Sequence, residues 1–315
     1  MIAARAVPVF DRLLSLQTPR GAFPSTVTAG PDKAPIIDET AFITAQIVII
    51  LSELSGALDA ERCARALDSC ERALDFLETC ESRSRRGAFH FYSRLAEARR
   101  LPIALPPDAD DTALCWAAFV IAGRRRAGTA ASALRRCLEP LPAAARQSGD
   151  APWVGAGAVR TWLAMGGENP VDVAVNANIA FACAVCGLTG RLRDGAVATA
   201  VRGLAGSGTD PAHLRRASPY YRDPAEIACI LHRASRAGIM RLRRISDRFS
   251  ACEAADRLAG RPVERPLYCN AHGEPVWRSA ALQLARRFED MRLRPHPKTS
   301  SQPEGDCHDD AKIRA

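Results

Sequence analysis

The sequence predicts an all-α fold, an α/α toroid of five to six helix pairs with an inner and an outer ring, and three observations carry that expectation. Helical periodicity dominates, no convincing alternating strand is present, and one unit of glycine turn, polar loop and apolar helix recurs along the 315 residues. At 47% hydrophobic residues, the chain can bury the core of one large domain or two of ordinary size.

The units run in order. Gly21-Ala22-Phe23 precedes Thr40-Ala41 by 19 positions, and DETAFITAQIVIIL then predicts an apolar helix over about 39–54. Cys63, Leu67, Cys70, Leu74 and Leu77 recur at three- and four-residue spacing, the stripe of an amphipathic helix. Gly87-Ala88-Phe89 precedes Thr112-Ala113 of DDTALCWAAFVIA by 25 positions, with a helix over 109–123. Gly157-Ala158-Val159 precedes Asn176-Ala177 of VNANIAFACAVCG by 19, with a helix over 173–188. A more polar, amphipathic helix lies before each turn. Further helices are predicted over 192–204, 224–238, 247–259 and 275–290, and SPYYRDPAEIACILHRA and PLYCNAHGEPVWRSAALQLA look like degenerate units.

Apolar helices buried on most sides belong inside, and amphipathic ones outside. The toroid spans 1–292, and the polar, proline-containing stretch 293–315 reads as a disordered tail, Cys307, His308, Asp309 and Asp310 included. In such a ring the inner helices open at one mouth. Asp38, Glu39, Asp108, Asp110, Asp111, Asp172, Asn176, Asn178, Tyr221, Asp223, His272 and Trp277 are therefore expected around one cavity.

The net charge of +8 rests on 43 basic residues, of which lysine supplies only positions 33, 298 and 312. The arginines are scattered, apart from short runs such as Arg124-Arg125-Arg126, so no nucleic-acid partner is expected. The 11 cysteines fall mostly at apolar helical positions, which argues against a disulfide framework. Cys183 and Cys186 form a CxxC without a second ligand pair, so they read as buried helix residues rather than a metal site. No secretory leader and no long apolar run is seen, so a cytoplasmic location is expected.

The stretch PPDADDTALCWAAF, residues 106 to 119, concentrates the chemistry. Asp108 after Pro107, with Asp111 three positions on, makes a good helix start. That accounts for Asp108 and Asp111 and leaves Asp110 unexplained. Cap alone, and cap plus proton chemistry, both remain open here. Asn176 and Asn178 either satisfy backbone groups or touch substrate or acid. Tyr221 marks a turn or a pocket wall.

Asp108-Ala109-Asp110-Asp111-Thr112-Ala113 resembles the DxDDTA acid motif of class II terpene cyclases. Gln17-x-x-x-Gly21-x-Phe23 resembles the QW repeat of the squalene cyclases, with Phe in place of Trp. Through the repeat, the resemblance to the terpenoid cyclase and protein prenyltransferase toroids covers most of 1–292. It implies Asp110 as the general acid that protonates an alkene or epoxide of an isoprenoid substrate and starts a cyclisation or isomerisation, with Asp108 and Asp111 tuning it. A substrate wall of Asn176, Asn178, Tyr221, Trp116 and Asp38 is expected. No redox cofactor and no metal is required; Mg2+ would accompany a diphosphate, met by Arg222 or by Arg99 and Arg100. Such enzymes commonly build the site between two toroids, so a partner toroid, a second copy or a smaller substrate is implied, and a lipid substrate suits peripheral membrane contact. Two other readings stand beside this one. One is a non-catalytic toroid that binds a lipid or a protein. The other is a prenyltransferase-like toroid, which would need a zinc held by Asp, Cys and His.

Overall fold

The computed structural model describes residues 6–30, 32–95, 101, 104–142, 146–164, 168–205, 210–258, 266–270 and 272–293. The tail beyond 293, with Cys307, His308, Asp309 and Asp310, lies outside the described residues, as do Arg99 and Arg100.

Helix ends follow the capping chemistry. The first half of the chain forms α1 (Val7–Ser15), α2 (Ala41–Ser55), α3 (Ala60–Thr79), α4 (Ala109–Ile121) and α5 (Ala127–Cys137). The second half forms α6 (Val173–Val185), α7 (Arg191–Leu204), α8 (Pro211–Ala217), α9 (Pro224–Arg236), α10 (Met240–Leu258) and α11 (Ala280–Leu293). Thr40 caps α2, Asp108 caps α4, Asp172 caps α6 and Asp223 caps α9, each accepting a first-turn N–H. In α2, α4 and α6 nearly every side chain is buried, as their unbroken apolar runs require. α3 and α5 bury one face.

α2 packs on α4, α4 on α6 and α6 on α9, while α11 packs back on α2. Each of these is backed by a second helix: α3 on α2, α5 on α4, α7 on α6, α10 on α9 and α1 on α11. Among the described residues no helix is long and apolar enough to cross a membrane.

The repeat is real at atomic level. Gly21, Gly87 and Gly157 share one left-handed conformation, with φ of 88°, 87° and 87°. Two residues on, a backbone N–H donates to a side-chain oxygen of the inner helix: Phe23 to Thr44 (3.2 Å), Phe89 to Thr112 (2.9 Å) and Val159 to Asn176 (3.0 Å). The partner of Thr112 and Asn176 is therefore Thr44, not Thr40, which instead takes the capping place held elsewhere by Asp108 and Asp172. The turns press on the outer helices. A Cβ at Gly21 would sit 2.1 Å from the Arg72 carbonyl oxygen, and one at Gly157 would sit 2.7 Å from the Gly195 Cα.

The all-α expectation needs correction. A four-stranded antiparallel sheet, order β2-β1-β4-β3, joins β1 (Pro24–Thr28) and β2 (Ile36–Glu39) to β3 (Tyr268–Cys269) and β4 (Val276–Arg278). Strands this short show too little alternation to read from sequence. Their register pairs Ser25 with Asp38, Val27 with Trp277 and Tyr268 with Trp277. The helix expected over 275–290 accordingly starts later, at Ala280, after Ser279 accepts the Leu282 N–H at 3.1 Å. The helix expected from 247 starts earlier, at Met240.

Candidate functional site

The capping geometry that starts α4 also turns three carboxylates inward. Asp108, Asp110 and Asp111 are 5%, 4% and 2% exposed. They lie on one wall of a hollow of about 370 Å³, bounded by the lead-ins of α4 and α9, Phe42 at the start of α2, and the β3–β4 hairpin. Its remaining walls are largely aromatic. Tyr268 stacks on Trp277 with centroids 5.3 Å apart, and Phe91 sets its edge against both. Phe42 bridges Tyr268 and Tyr221, and Trp162 meets Tyr220 edge-on while donating its indole N–H to the Tyr220 hydroxyl at 3.0 Å. His272 and Asn270 lie at the hairpin end of the hollow, where the exposed His272 gives its backbone N–H to the Asn270 side chain.

The three carboxylates do different work. Asp108 Oδ1 accepts the Asp111 backbone N–H at 2.7 Å, the cap bond. Asp110 has a donor on each oxygen: the Asn178 amide at 2.7 Å on Oδ1 and the Tyr221 hydroxyl on Oδ2. No donor reaches either oxygen of Asp111, and its carboxyl faces that of Asp108, to which it can give a proton only while it is itself neutral. A buried carboxylate anion without donors is costly, and a neighbouring carboxylate makes it more so. Burial first, and the Asp108 charge second, therefore hold Asp111 well above the usual carboxylate range. It is the neutral acid of the three. Burial pushes Asp108 up to about 7 against the pull of the Asp111 carboxyl and of the first-turn amide bonds. Burial lifts Asp110 to about 6, restrained by the Tyr221 and Asn178 bonds. The cluster thus keeps at least one proton at neutral pH, and the carboxyl with the best-solvated anion is Asp110.

The other expected residues divide. Tyr221 and Trp277 line the hollow, and Asn178 reaches it through Asp110. Asp38 stands behind the wall: its Oδ2 accepts from the Tyr92 hydroxyl (2.9 Å) and the Trp277 indole (3.0 Å), Oδ1 is buried without a partner, and burial raises its pKa. Asp172 is a full cap, accepting from Ala174, Val175, Ser218 and Tyr220. Asn176 spends its amide on backbone, bonding both polar atoms of Val159 and the Asp172 carbonyl. Glu39 pairs with Arg20 through two bonds of 2.8 and 3.0 Å.

Trp116 points away from the hollow. Its indole donates to the Gly87 carbonyl at 2.8 Å, and it packs on Phe89 and Phe119 beside a separate groove of about 540 Å³ between α3, α4 and α5. That groove is the larger of the two, but its charged lining includes the Arg125–Glu78 ion pair, and it holds no part of the carboxylate cluster. Cys183 and Cys186 are buried in the α6 region, and burial lifts both thiols to about 12.

Two features escaped sequence reasoning. Phe42 forms part of the aromatic wall, although it sits in an apolar run that reads only as core. Behind Asp110, moreover, a polar chain crosses between the helices. Arg233 donates to Gln46 at 2.8 Å and to Asn178 at 2.6 Å, and Arg286 donates to Gln46 at 3.2 Å and grips Glu226 at 2.6 and 2.7 Å. The one visible signal was Gln46, a lone amide within AFITAQIVIIL.

Among the described residues no group of three or more His, Cys, Asp or Glu is arranged to hold a metal ion. Comparison with protein-family models and with curated proteins finds no match to this chain.

Proposed function

We propose that the five helix pairs close into an α/α toroid and that the hollow at its inner-helix tips is the site of a class II-type terpenoid cyclase or double-bond isomerase. One observation carries the reading: three buried carboxyls that retain a proton form a wall of an otherwise aromatic hollow. Protonating an alkene needs an acid that is strong and still protonated. Below about pH 6 Asp110 meets both demands. The Asn178 and Tyr221 donors stabilise its anion, which makes it a stronger acid, and burial keeps its pKa near 6. Each carboxyl oxygen has a second lone pair, so the proton can sit on Asp110 without displacing either donor. Asp111, held neutral, adds no negative charge beside it.

In this reading the proton passes from Asp110 to a terminal carbon of the substrate double bond, and the resulting cation faces Phe42, Tyr268 and Trp277. Ring faces stabilise such a cation, each by about 0.5–2 kcal/mol. Loss of a C–H proton to the Asp110 carboxylate then forms the product alkene and restores the acid; where water takes that proton instead, Asp110 regains one from solvent. No step needs a redox partner or a metal. A volume of about 370 Å³ is at the small end of ligand pockets, about 300–1,000 Å³, and favours the shorter prenyl chains over squalene.

The test is incubation with geranyl, farnesyl and geranylgeranyl diphosphates and squalene, comparing wild type with Asp110→Asn. A cyclised or isomerised product from wild type alone is expected, with turnover in the variant down by about 10²–10⁴-fold. Wild-type turnover should rise as pH falls through about 6, because the acid must be protonated. Product from both proteins removes Asp110 as the donor, and no product from wild type removes these chains as substrates. One observation favours a second reading, a toroid that binds a lipid without converting it: both Asp110 oxygens are already engaged by donors of the protein itself. Under that reading both proteins bind a prenyl chain equally and neither turns it over. The prenyltransferase-like reading finds no donor set for zinc among the described residues.

A further inference from the structure

Behind the acid lies a cation without a carboxylate. Arg286 is neutralised by its two-pronged grip on Glu226. Arg233, one helical turn further along α9 from Cys229, has two amide oxygens for partners instead: Gln46 of α2 and Asn178 of α6. Its Nε is buried with no partner, and its guanidinium carbon lies 5.2 Å from the centre of the Phe181 ring. Keeping a guanidinium in such a place is expensive unless something is gained from its charge. Gln46 and Asn178 occupy the same place on their helices, six residues after the caps Thr40 and Asp172. The cation thus gathers two equivalent positions of the repeat.

The chemistry of an amide shows what Arg233 does there. An asparagine side chain carries an acceptor at one end and two donors at the other, and a half-turn exchanges them. Facing Asp110, only the NH2 end stabilises the carboxylate, whereas the oxygen end would repel it. Arginine has donors only, so the amide end it bonds must be the oxygen. The 2.6 Å bond from Arg233 Nη2 to Asn178 Oδ1 therefore commits Nδ2 to Asp110 Oδ1, 2.7 Å away.

We propose that Arg233 is a positioning residue for the acid: through Asn178 it fixes which end of that amide meets Asp110, and so sets how readily Asp110 releases its proton. This rests on the reading of Asp110 as proton donor, but the geometry stands without it. When Asp110 loses its proton, the new anion faces a polarised amide backed by a fixed positive charge, an arrangement already in place before the reaction. Other charged and titratable groups also face Asp110. Asp108, Asp111 and Cys115 belong to α4 and its cap, and Asp172 caps α6. Tyr221 and Glu226 belong to α9 and its lead-in, and Arg286 stands beyond on α11. Of these only Tyr221 bonds Asp110, and none bonds Asn178.

The experiment reads the carboxyl directly. Protein labelled with 13C at aspartate carboxyls is titrated by NMR, and the signal missing in Asp110→Asn identifies the group. Arg233→Met should raise the apparent pKa of Asp110 by about one unit, within the range for losing a nearby opposite charge. Asn178→Ala should do the same, and the double variant should shift by less than the sum of the two single ones, because part of the Arg233 effect passes through Asn178 and part is its direct charge on Asp110. Arg233→Lys keeps the charge and the fold but cannot reach both amides, so a smaller shift in the same direction is expected; it carries the test should the Met variant not fold. An unchanged Asp110 titration in folded Arg233 variants overturns the proposal. So do shifts that add fully in the double variant, since Arg233 would then act through space and not through Asn178. The titration needs no turnover, so failure to find a prenyl product leaves this test intact, and a null titration leaves the assay of Asp110→Asn intact.

Discussion

The tips of α4 and α6 begin alike and end differently. Each opens with an aspartate that caps the helix, and each carries, four residues on, a side chain that takes the N–H of the preceding glycine turn. At the α6 tip that is the whole story. Asp172 satisfies four donors, and the two places matching Asp110 and Asp111 are Ala174 and Val175. At the α4 tip the same scaffold duty is met by Asp108 and Thr112, and two further buried carboxyls remain that capping does not use. Capping chemistry therefore explains one aspartate per tip. The excess at α4 faces the aromatic hollow, and this, more than the presence of acidic residues, marks the site.

The largest predicted effect breaks the α6 tip. Asp172→Ala strands the N–H groups of Ala174 and Tyr220 and the Ser218 hydroxyl in a dry interior. It should destabilise the protein by about 2–4 kcal/mol, the sum of a lost cap and orphaned buried donors, read as a shift in the urea midpoint. Asp108→Ala loses the bond to the Asp111 N–H and the carboxyl contact with Asp111, and at the same time relieves Asp111 of a neighbouring negative charge. Its net cost should be about 0–1 kcal/mol. Equal losses at the two tips would mean that the α4 aspartates are as structural as Asp172.

The next effect is a pH dependence. A carboxyl with a higher pKa folded than unfolded binds more protons in the folded state. The stability it favours is complete below the unfolded value, near 4, and is lost as pH climbs to the raised value. Asp108 and Asp172 near 7 and Asp110 near 6 place this window between about pH 4 and 7, with Asp111 extending it upward. The melting temperature should therefore rise as pH is lowered from 8 to 6. Asp111→Asn, which replaces an acid whose anion no donor meets with a group that never ionises and can still donate to Asp108, should flatten that slope and stabilise the protein at pH 8 by about 1–3 kcal/mol. A variant less stable than wild type at pH 8 would show that a donor meets the Asp111 anion and that Asp111 is no proton store.

The two tips also show what a sequence can disclose. Gly21, Gly87, Gly157 and the Asp108 cap were legible because a glycine turn and an N-cap are local demands that few residue types meet, whereas Asp172, expected at the cavity, proved to be a cap as well. The helix pairs followed from runs such as AFITAQIVIIL, buried all round. The sheet was hidden because its strands are two to five residues long and come from connectors at opposite ends of the chain. Thr40 was matched with Thr112 because both precede alanine, yet Thr44 makes the equivalent bond, since the loop after Gly21 holds two strands and shifts the count. Arg233 was invisible for a deeper reason. Nothing in ILHRASR separates a surface arginine from one whose partners arrive from α2 and α6.

The smallest effect sharpens the boundary of the site. Trp116 is on α4, one helix with the acid cluster, and at the sequence level any aromatic there is a candidate wall. Eight residues past the cap, however, the helix has turned it outward to the glycine turn at Gly87. Trp116→Phe keeps one six-membered ring against Phe89 and Phe119 and removes the pyrrole part of the indole with its N–H to the Gly87 carbonyl. It should cost about 1–2 kcal/mol, one hydrogen bond plus a small loss of buried volume, and leave both the Asp110 titration and any turnover unchanged. Trp277→Phe makes the opposite case with the same chemistry: it removes a donor from Asp38 behind the aromatic wall and thins the stack on Tyr268. If the hollow is the site, Trp277→Phe changes prenyl binding or turnover while Trp116→Phe does not. The reverse result would move the site to the groove between α3, α4 and α5.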